Sequence, residues 1–216
     1  MGLFGGERRG TPADLLVIGL GNPGSEYAHS RHNAGADAVA ELARRGSAGL
    51  KKGRERALVA EVRVGDKRVA LAFPQTFMNL SGESAVMLVK RHGIENVNDV
   101  IVVHDELDLP PGVVRVKVGG GLAGHNGLKS IRQHLHSDGF VRVRIGVGKP
   151  PGRQEGADHV LRTLSKSARE ELAVSVQVAA DAVEAIANLG AEAAMNDFNS
   201  RGDVQRVGPG AMKGQR

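Results

Sequence analysis

LLVIGLGNPGSEYAHSRHNAG, residues 15–35, joins an unbroken apolar run to a glycine-rich turn and a polar tail. The run is short and apolar throughout, which is typical of a β-strand buried on both faces of a sheet. The turn GLGNPG matches the G-x-G-x-x-G pattern of dinucleotide-binding folds, although that pattern alone is weak evidence. Open α/β sheets bind ligands at the carboxyl ends of their strands, so the polar tail is a candidate site in either case.

Two features of this stretch argue against a dinucleotide site. In such a site the helix begins within the glycine turn, so that its N–H groups meet the pyrophosphate. Here Pro23 removes one of those donors and favours a turn at residues 22–24. The acidic residue expected about 20 positions further on would be Asp37 or Glu41, and both fall inside a predicted helix. We therefore interpret the stretch as a strand followed by a polar ligand-binding loop.

Apolar periodicity along the rest of the chain alternates between strands and helices. Strands are predicted at 15–20, in a hairpin at 57–73 that turns at Gly65-Asp66, and at 100–108, 113–118 and 140–148. Helices are predicted at 36–45, 81–92 and 125–135, and a last long helix opens with the capping box Ser167–Glu170 and ends near Gly190. This order predicts an α/β protein with a single three-layer α/β/α domain and a twisted mixed sheet. The domain is predicted at 14–199, between a flexible tail at 1–13 and a flexible basic tail at 200–216.

Composition narrows the class of protein. The 216 residues include no cysteine, which excludes disulfides and thiolate metal ligands and favours a reducing compartment, the cytoplasm. We find no apolar run that looks long enough to span a bilayer, so no membrane partner is expected. The net charge of +5 and the pI near 9.8 fit either a merely soluble protein or one with a polyanionic partner such as nucleic acid.

Polar side chains follow several predicted strands, and one pair among them indicates catalysis. His32 lies in the loop after the first strand, and Asp105 follows the apolar residues of the strand at 100–108. A histidine beside a carboxylate is an oriented general base, because the carboxylate fixes the imidazole tautomer and stabilises the imidazolium. Asn22, Asn79 and Asn126 stand in equivalent loops, where side-chain amides can hold a carbonyl and donate to a developing oxyanion.

Other catalytic chemistries fit less well. A serine nucleophile would be expected in a G-x-S-x-G motif, which the sequence lacks, and there is no cysteine to replace it. His32, Asp105 and His125 are possible metal ligands in principle, but no H-x-x-x-H or H-E-x-x-H pair is present. The remaining option is a water nucleophile activated by His32. Hydrolysis of an activated ester fits this option best, because an amide would demand stronger protonation of its leaving group.

Five colinear segments within residues 15–164 resemble bacterial peptidyl-tRNA hydrolases. They read GLGNPGSEYAHSRHNAG, FPQTFMNLSGES, HDELDLPPG, GGGLAGHNGLKSI and FVRVRIGVGKP. The resemblance implies a monomeric α/β/α enzyme, without metal or cofactor, that takes peptidyl-tRNA as its partner. It also implies the reaction, which is cleavage of the ester between the peptide and the terminal ribose of tRNA.

The same resemblance implies roles for individual residues. His32 resembles the general base, Asp105 the carboxylate that keeps it basic, and Asn22 the amide that senses whether the substrate's α-amino group is blocked. The residues implied to line the cleft for the peptidyl-adenosine end are Tyr27, Phe77, Asn79 and Asn126, with Met78 packed beside them. Lys117 and Arg144 fall where the family grips the 5′ end of tRNA.

Two positions depart from the family's pattern. The family often has a histidine within the glycine run, where this chain has Leu122-Ala123, and a threonine where it has Ser30. The first departure leaves the contacts of that loop open. A non-catalytic RNA-binding protein on the same scaffold is the alternative hypothesis, and it would be expected to lose the base or its carboxylate. Here His32 and Asp105 are both present.

Overall fold

The computed structural model of the chain describes residues 11–150 and 155–204, in which strands and helices alternate. The strands are β1 (Leu15–Gly19), β2 (Lys51–Lys52), β3 (Ala57–Val64), β4 (Lys67–Pro74), β5 (Val100–Glu106), β6 (Val114–Val118) and β7 (Val141–Gly146). The helices are α1 (Ala34–Arg45), α2 (Ser81–His92), α3 (Asn126–Leu135), α4 (Gly156–Leu161), α5 (Lys166–Leu189) and α6 (Ala191–Val204). Short 3-10 turns lie at Arg31–Asn33, Met78–Leu80 and Val97–Asp99.

The strands form one seven-stranded mixed sheet in the order β2-β3-β4-β1-β5-β7-β6. β1 lies at the centre and pairs in parallel with β4 and β5, and β5 pairs in parallel with β7. β3 and β6 are antiparallel to β4 and β7 respectively. The loops that follow β1, β4 and β5 therefore meet at one edge of the sheet, which is where such sheets bind ligands.

Helices cover both faces of the sheet, as the prediction of three layers requires. Along β1, Leu15 and Val17 pack into the core cluster shared with α1, α5 and α6. Leu16 and Ile18 point the other way, into the cluster shared with α2 and α3. Alternate side chains of one strand thus enter two cores, because successive residues of a strand point to opposite faces. The predicted α/β fold class is confirmed.

Helix α1 approaches the centre of the sheet through two glycines. A Cβ on Gly19 would lie 2.1 Å from the carbonyl oxygen of Gly35, and a Cβ on Gly35 would lie 2.1 Å from that of Val103. No other residue type fits at either position without displacing backbone. This contact fixes the amino end of α1, and with it the turn Arg31–Asn33, against β1 and β5.

Several predicted boundaries differ from the observed ones. The strand predicted at 100–108 ends at Glu106, and α4 and α6 were not predicted as separate helices. The cap of α5 is Ser165 rather than the predicted Ser167, because Ser165 Oγ accepts the N–H of Ala168 at 3.3 Å. Helix α6 continues to Val204, into the segment predicted as a C-terminal tail. Residues 1–10 and 205–216 of the two predicted tails lie outside the described residues.

Among the described residues, α5 is long and apolar enough to span a bilayer, which corrects the expectation that no segment is. Length and hydropathy alone are weak evidence, because the core helix of a globular domain meets the same criteria. Of its 18-residue apolar window, 44% is buried within the protein. Val176, Ala180 and Val183 pack in the core cluster that also contains residues of β1, β5 and β7. This buried face of α5 is occupied by the sheet.

Candidate active site

The turn after β1 is tied to the neighbouring loops by asparagine hydrogen bonds. The backbone N–H of Asn22 donates to Oδ1 of Asn33 at 2.9 Å, and Asn33 Nδ2 donates to the Asn22 carbonyl at 3.0 Å. Asn22 Oδ1 accepts the N–H of Met78 at 2.8 Å, which joins this turn to the loop after β4. All three residues are buried. The side-chain oxygen of Asn22 is therefore committed to structure, and its Nδ2 is the group that remains to donate to a ligand.

His32 and Asp105 meet at the sheet edge. His32 lies in the 3-10 turn that leads into α1, and Asp105 lies near the end of β5, the parallel neighbour of β1. The distance from His32 Nδ1 to Asp105 Oδ1 is 2.8 Å, and the two side chains are 13% and 3% exposed. An ionised carboxylate can only accept hydrogen bonds, so Nδ1 carries the proton. The lone pair of the neutral ring then lies on Nε2.

His125 is a second donor to the same carboxylate oxygen. Its Nε2 lies 3.1 Å from Asp105 Oδ1, and its Nδ1 accepts the N–H of Gly127 at 3.1 Å. Because Nδ1 is an acceptor, the proton of the neutral ring lies on Nε2 and points at Asp105. The rings of His32 and His125 are 5.1 Å apart between centroids. The sequence indicated His125 as a possible metal ligand, but it did not predict this contact.

The two imidazoles keep Asp105 ionised. Burial alone would raise the pKa of Asp105, but the neighbouring His32 and the hydrogen bonds from both histidines outweigh it and hold the pKa well below its usual range. Asp105 therefore carries a negative charge at every pH where an enzyme of this kind would work.

His104 is the third imidazole in a row with His32 and His125, and its ring is uncharged. Its ring is fully buried and lies edge-on to His125, with centroids 5.0 Å apart. Burial, together with the nearby His125, lowers the pKa of His104 well below the ordinary histidine value. Its Nδ1 lies 2.7 Å from the carbonyl oxygen of Asp105, and its Nε2 has no hydrogen-bond partner within the part of the chain that the structure describes. His104 is thus a neutral packing group behind the pair.

A cleft of about 550 Å³ opens over these residues. Seven of the ten predicted site residues line it, and they are Asn22, His32, Phe77, Met78, Asn79, Asp105 and Asn126. Phe77 is 58% exposed and Met78 is 5% exposed, so Phe77 is accessible from solvent and Met78 is buried. Phe77 offers a ring to a ligand at the rim, whereas Met78 is part of the cleft floor. Asn79 and Asn126 are exposed, with amides accessible from solvent.

One wall of the cleft was not predicted. Gly156, Ala157, Val160 and Leu161 of the short helix α4 line it together with Leu107. The signal in the sequence was only the pair of apolar residues at 160–161, which is too short to indicate an amphipathic helix by periodicity. This wall gives the cleft an apolar side.

The remaining three predicted residues lie outside the cleft wall. Tyr27 is half-buried on the loop before the turn Arg31–Asn33, where its carbonyl accepts the Ser30 hydroxyl at 2.8 Å. Lys117 is exposed on β6. Arg144 lies on β7, and its Nε is 3.1 Å from Oε2 of the buried Glu106. The structure thus does not bring Lys117, Arg144 or Tyr27 into contact with the His32–Asp105 pair.

The donor atoms of His32, Asp105 and His125 lie within 4.8 Å of one another, so these residues could hold a metal ion. The same three atoms already satisfy one another, since both imidazole N–H groups donate to Asp105 Oδ1. A metal ion bound through these three atoms would have to replace both protons and break both hydrogen bonds. Absence of a metal from this site therefore stays a prediction with a chemical reason behind it.

Comparison with known proteins identifies the family of this chain. A family model described as peptidyl-tRNA hydrolase matches residues 16–206. The chain belongs to the peptidyl-tRNA hydrolase family. The match includes every predicted site residue, and it confirms the resemblance drawn from the five segments.

Members of the peptidyl-tRNA hydrolase family are similar to this chain over most of its length. A peptidyl-tRNA hydrolase of Kineococcus radiotolerans is 46% identical over 192 residues, covering 86% of this chain and 96% of that protein. One of Frankia casuarinae is 49% identical over 185 residues, covering 86% and 93%. The crystal structure of peptidyl-tRNA hydrolase from Acinetobacter baumannii superposes with a TM-score of 0.79 at 36% identity, covering 91% of this chain and 98% of that one.

Proposed function

We propose that this chain hydrolyses peptidyl-tRNA, cleaving the ester between the peptide and the terminal ribose and releasing both. The observation that carries the proposal is the 2.8 Å contact between His32 Nδ1 and Asp105 Oδ1 at a cleft lined by three asparagines. The family match supports the reaction class. The pair supplies a base and the amides supply donors, which is what attack of water on an ester requires.

In the proposed mechanism His32 is both base and acid. Its Nε2 takes a proton from a water molecule, which attacks the ester carbonyl, and the charge of Asp105 stabilises the resulting imidazolium. Side-chain amides of the cleft donate to the oxyanion of the tetrahedral intermediate. When that intermediate collapses, the ester bond to the ribose breaks, and the imidazolium returns the proton to the ribose oxygen. No group of the protein is left modified.

A direct assay tests the proposed reaction. Purified protein is incubated in a metal chelator with N-acetyl-aminoacyl-tRNA or with the unblocked aminoacyl-tRNA, and free tRNA is measured. We expect multiple turnovers of the blocked substrate and little of the unblocked one. Binding of the blocked substrate without turnover would instead support the non-catalytic RNA-binding alternative. Loss of activity in the chelator, restored by a metal ion, would overturn the metal-free site.

The position of Asn22 supports a role in recognising the blocked amino group. Its Oδ1 atom is held by the Met78 N–H, so Nδ2 is left to donate to the acyl oxygen of a blocking group. Asn22→Asp keeps the acceptor for Met78 but replaces that donor by a negative oxygen, which attracts a free α-ammonium group. We expect the ratio of kcat/KM for blocked over unblocked substrate to fall about tenfold or more, since a charge-assisted hydrogen bond contributes about 1.5–3 kcal/mol.

A matched thermal unfolding measurement accompanies the Asn22→Asp variant. An unchanged preference for the blocked substrate, in a variant that is folded, would remove Asn22 from that role. Asn33→Ser serves as a second probe, because Asn33 holds the Asn22 backbone rather than its side chain. It is expected to lower kcat/KM for both substrates without changing their ratio.

Lys117 and Arg144 are proposed to bind tRNA phosphates. Each phosphate contact adds about one unit to the slope of log K against log salt concentration. We expect Lys117→Ala to lower the slope of tRNA binding by about one unit, and Arg144→Ala to lower it less, because Arg144 is paired with Glu106. The control is Lys67→Ala, which removes the same charge from an exposed position on β4, separated from β6 by three strands of the sheet. A slope that Lys117→Ala leaves at its wild-type value would exclude Lys117 as a phosphate ligand.

The described residues of one chain supply the His32–Asp105 pair and the three cleft asparagines, which supports action as a monomer. The lack of cysteine and a substrate produced by translation support a cytoplasmic enzyme. Sedimentation equilibrium of the active protein is expected to give the mass of a single chain. Activity confined to a dimer fraction would contradict the monomer.

A further inference from the structure

Arg142 is a buried cation whose partners are backbone carbonyls. It lies on β7 and is 1% exposed. Its Nη1 donates to the carbonyl of Gly121 at 2.7 Å and its Nη2 to the carbonyl of Gly119. Its Nε has no partner within the described residues, and no carboxylate is among its described hydrogen-bond acceptors. Burial of a guanidinium costs free energy, so these two charge-assisted hydrogen bonds are what hold it in place.

Both carbonyls belong to the loop at 119–125, called here the glycine loop. Since β6 is antiparallel to β7, it ends at the sheet edge opposite the cleft, whereas α3 begins at the cleft. The glycine loop therefore crosses a face of the sheet, from the end of the strand that carries Lys117 to the site residues His125 and Asn126. Four of its seven residues are glycine. A segment of this composition has large conformational freedom unless it is anchored.

The middle of the glycine loop is anchored by an apolar side chain. Leu122 is buried in the core cluster of α2 and α3. Its carbonyl accepts the N–H of His125 at 2.9 Å. Ala123 has a φ of +47°, which is a costly backbone conformation for a residue with a Cβ. The departure at Leu122-Ala123 from the family's pattern thus gives this chain a fixed point halfway along the loop.

The side chain of Lys117 lies against the start of the glycine loop, which Arg142 holds. It lies directly opposite Arg142 in the register of β6 and β7, so both side chains leave the sheet on one face. A Cβ on Gly120 would lie 3.3 Å from Lys117 Cε and 3.8 Å from Arg142 Nη2. The stem of Lys117 therefore packs against the loop where Arg142 holds it.

We propose that Arg142 is a positioning residue for substrate. By holding the carbonyls of Gly119 and Gly121 it fixes the glycine loop, and with it the separation between Lys117 and the His125–Asn126 end of the loop. This inference rests on the proposed function, which assigns Lys117 to a phosphate and the side-chain amides of the cleft, Asn126 among them, to the ester. A rigid loop holds Lys117 and the His125–Asn126 end at the separation that the substrate requires, whereas a mobile loop does not keep that separation.

Two substrates distinguish positioning from simple attraction of RNA. One is N-acetyl-aminoacyl-tRNA, and the other is the N-acetyl-aminoacyl ester of adenosine, which has the same reacting bond but no phosphate. Lys117→Ala is expected to lower kcat/KM for the tRNA substrate only. Arg142→Lys keeps the charge but cannot reach both carbonyls, and we expect kcat/KM to fall about tenfold or more for both substrates. Arg142→Met is expected to do the same with a larger loss.

The matched control is Arg115→Met. Arg115 leaves the neighbouring strand on the same face and also donates to backbone carbonyls, but to those of Phe198 and Asn199 in α6. Its replacement removes the same charge and the same kind of backbone anchor, at α6 rather than at the glycine loop. We expect wild-type kcat/KM on the adenosine ester. Equal losses in Arg115→Met and Arg142→Met on that ester would overturn the proposal.

Amide hydrogen exchange tests the anchor independently of hydrolysis. In the folded Arg142→Lys variant we expect faster exchange at Gly119 and His125, whose N–H groups bond to Phe140 and Leu122, with the amides of β5 unchanged. Wild-type exchange rates at both sites, or wild-type kcat/KM on both substrates, would overturn the proposal. If the wild-type protein cleaves neither substrate, the proposed function fails, while the exchange result still decides whether Arg142 fixes the loop.

Discussion

Replacing His32 with alanine is expected to lower kcat/KM on N-acetyl-aminoacyl-tRNA by about 10²–10⁴-fold, the usual contribution of a positioned general base. The reason is geometric, since His32 lines the cleft and is bonded through Nδ1 to Asp105, so its Nε2 is the basic atom available to a water. The side chain is only partly buried, and its loss leaves α1 anchored by the contact between Gly19 and Gly35. We therefore expect the variant to fold, to bind tRNA as the wild type does and to lose the chemical step.

The control for this variant is His29→Ala, three residues earlier on the same loop. His29 is exposed and does not line the cleft, so its replacement should leave kcat/KM within about twofold of wild type, as for most surface substitutions. Single-turnover rates with excess enzyme separate loss of chemistry from loss of binding. A folded His32→Ala protein that turns over at close to the wild-type rate would end the mechanism.

Asp105→Asn is expected to lower kcat/KM by a similar factor, about 10²–10⁴-fold, for a different reason. The carboxylate accepts from both His32 and His125 on one oxygen and supplies the charge that stabilises the imidazolium. An asparagine can offer one acceptor but no charge, and its NH₂ group favours the wrong tautomer of one histidine. Asp108→Asn is the matched control, because Asp108 pairs with Lys149 at the surface. Activity of Asp105→Asn near that of Asp108→Asn would contradict the role.

The depressed pKa of Asp105 also fixes the sign of its effect on stability. Because the folded-state value lies below that of the unfolded chain, the stabilisation is present above the ordinary carboxyl range and disappears only as pH falls through the folded-state pKa. At neutral pH the stabilisation is complete. Asp105→Asn is therefore expected to unfold at a lower temperature than wild type at pH 7, and a differential scanning measurement checks this.

The sequence predicted the site residues that lie in the loops directly after strands. A parallel sheet brings the ends of β1, β4 and β5 to one edge, so the sequence predicted that His32 and Asp105 lie at the same edge. The second donor, His125, could not be predicted in the same way. Its proton lies on Nε2 only because Nδ1 accepts the N–H of Gly127, a contact that depends on how α3 begins.

The burial of Arg142 could not be predicted from the alternation of charged and apolar residues along its strand. Alternation of apolar and basic residues at 140–148 indicates a strand with one wet face, and it does predict β7. On that face Arg144 is partly exposed, but Arg142 is fully buried because the glycine loop lies over it. The local pattern of apolar and basic residues does not indicate that the glycine loop, from another part of the chain, covers this face of the sheet. The sequence also did not indicate the cap at Ser165 or the cleft wall formed by α4. Both depend on patterns only a few residues long, and such short patterns allow more than one interpretation.

In the proposed mechanism Asp105 holds His32 as the Nδ1–H tautomer, which leaves Nε2 free to take a proton from water. Nitrogen-15 chemical shifts of the His32 ring, measured in the wild-type protein at a pH where that ring is neutral, test it most directly. We predict a protonated Nδ1 and an unprotonated Nε2, with Asp105→Asn shifting the ring toward a mixture of tautomers. A wild-type ring protonated on Nε2 and bare on Nδ1 would contradict the account, because no basic nitrogen would then face the ester.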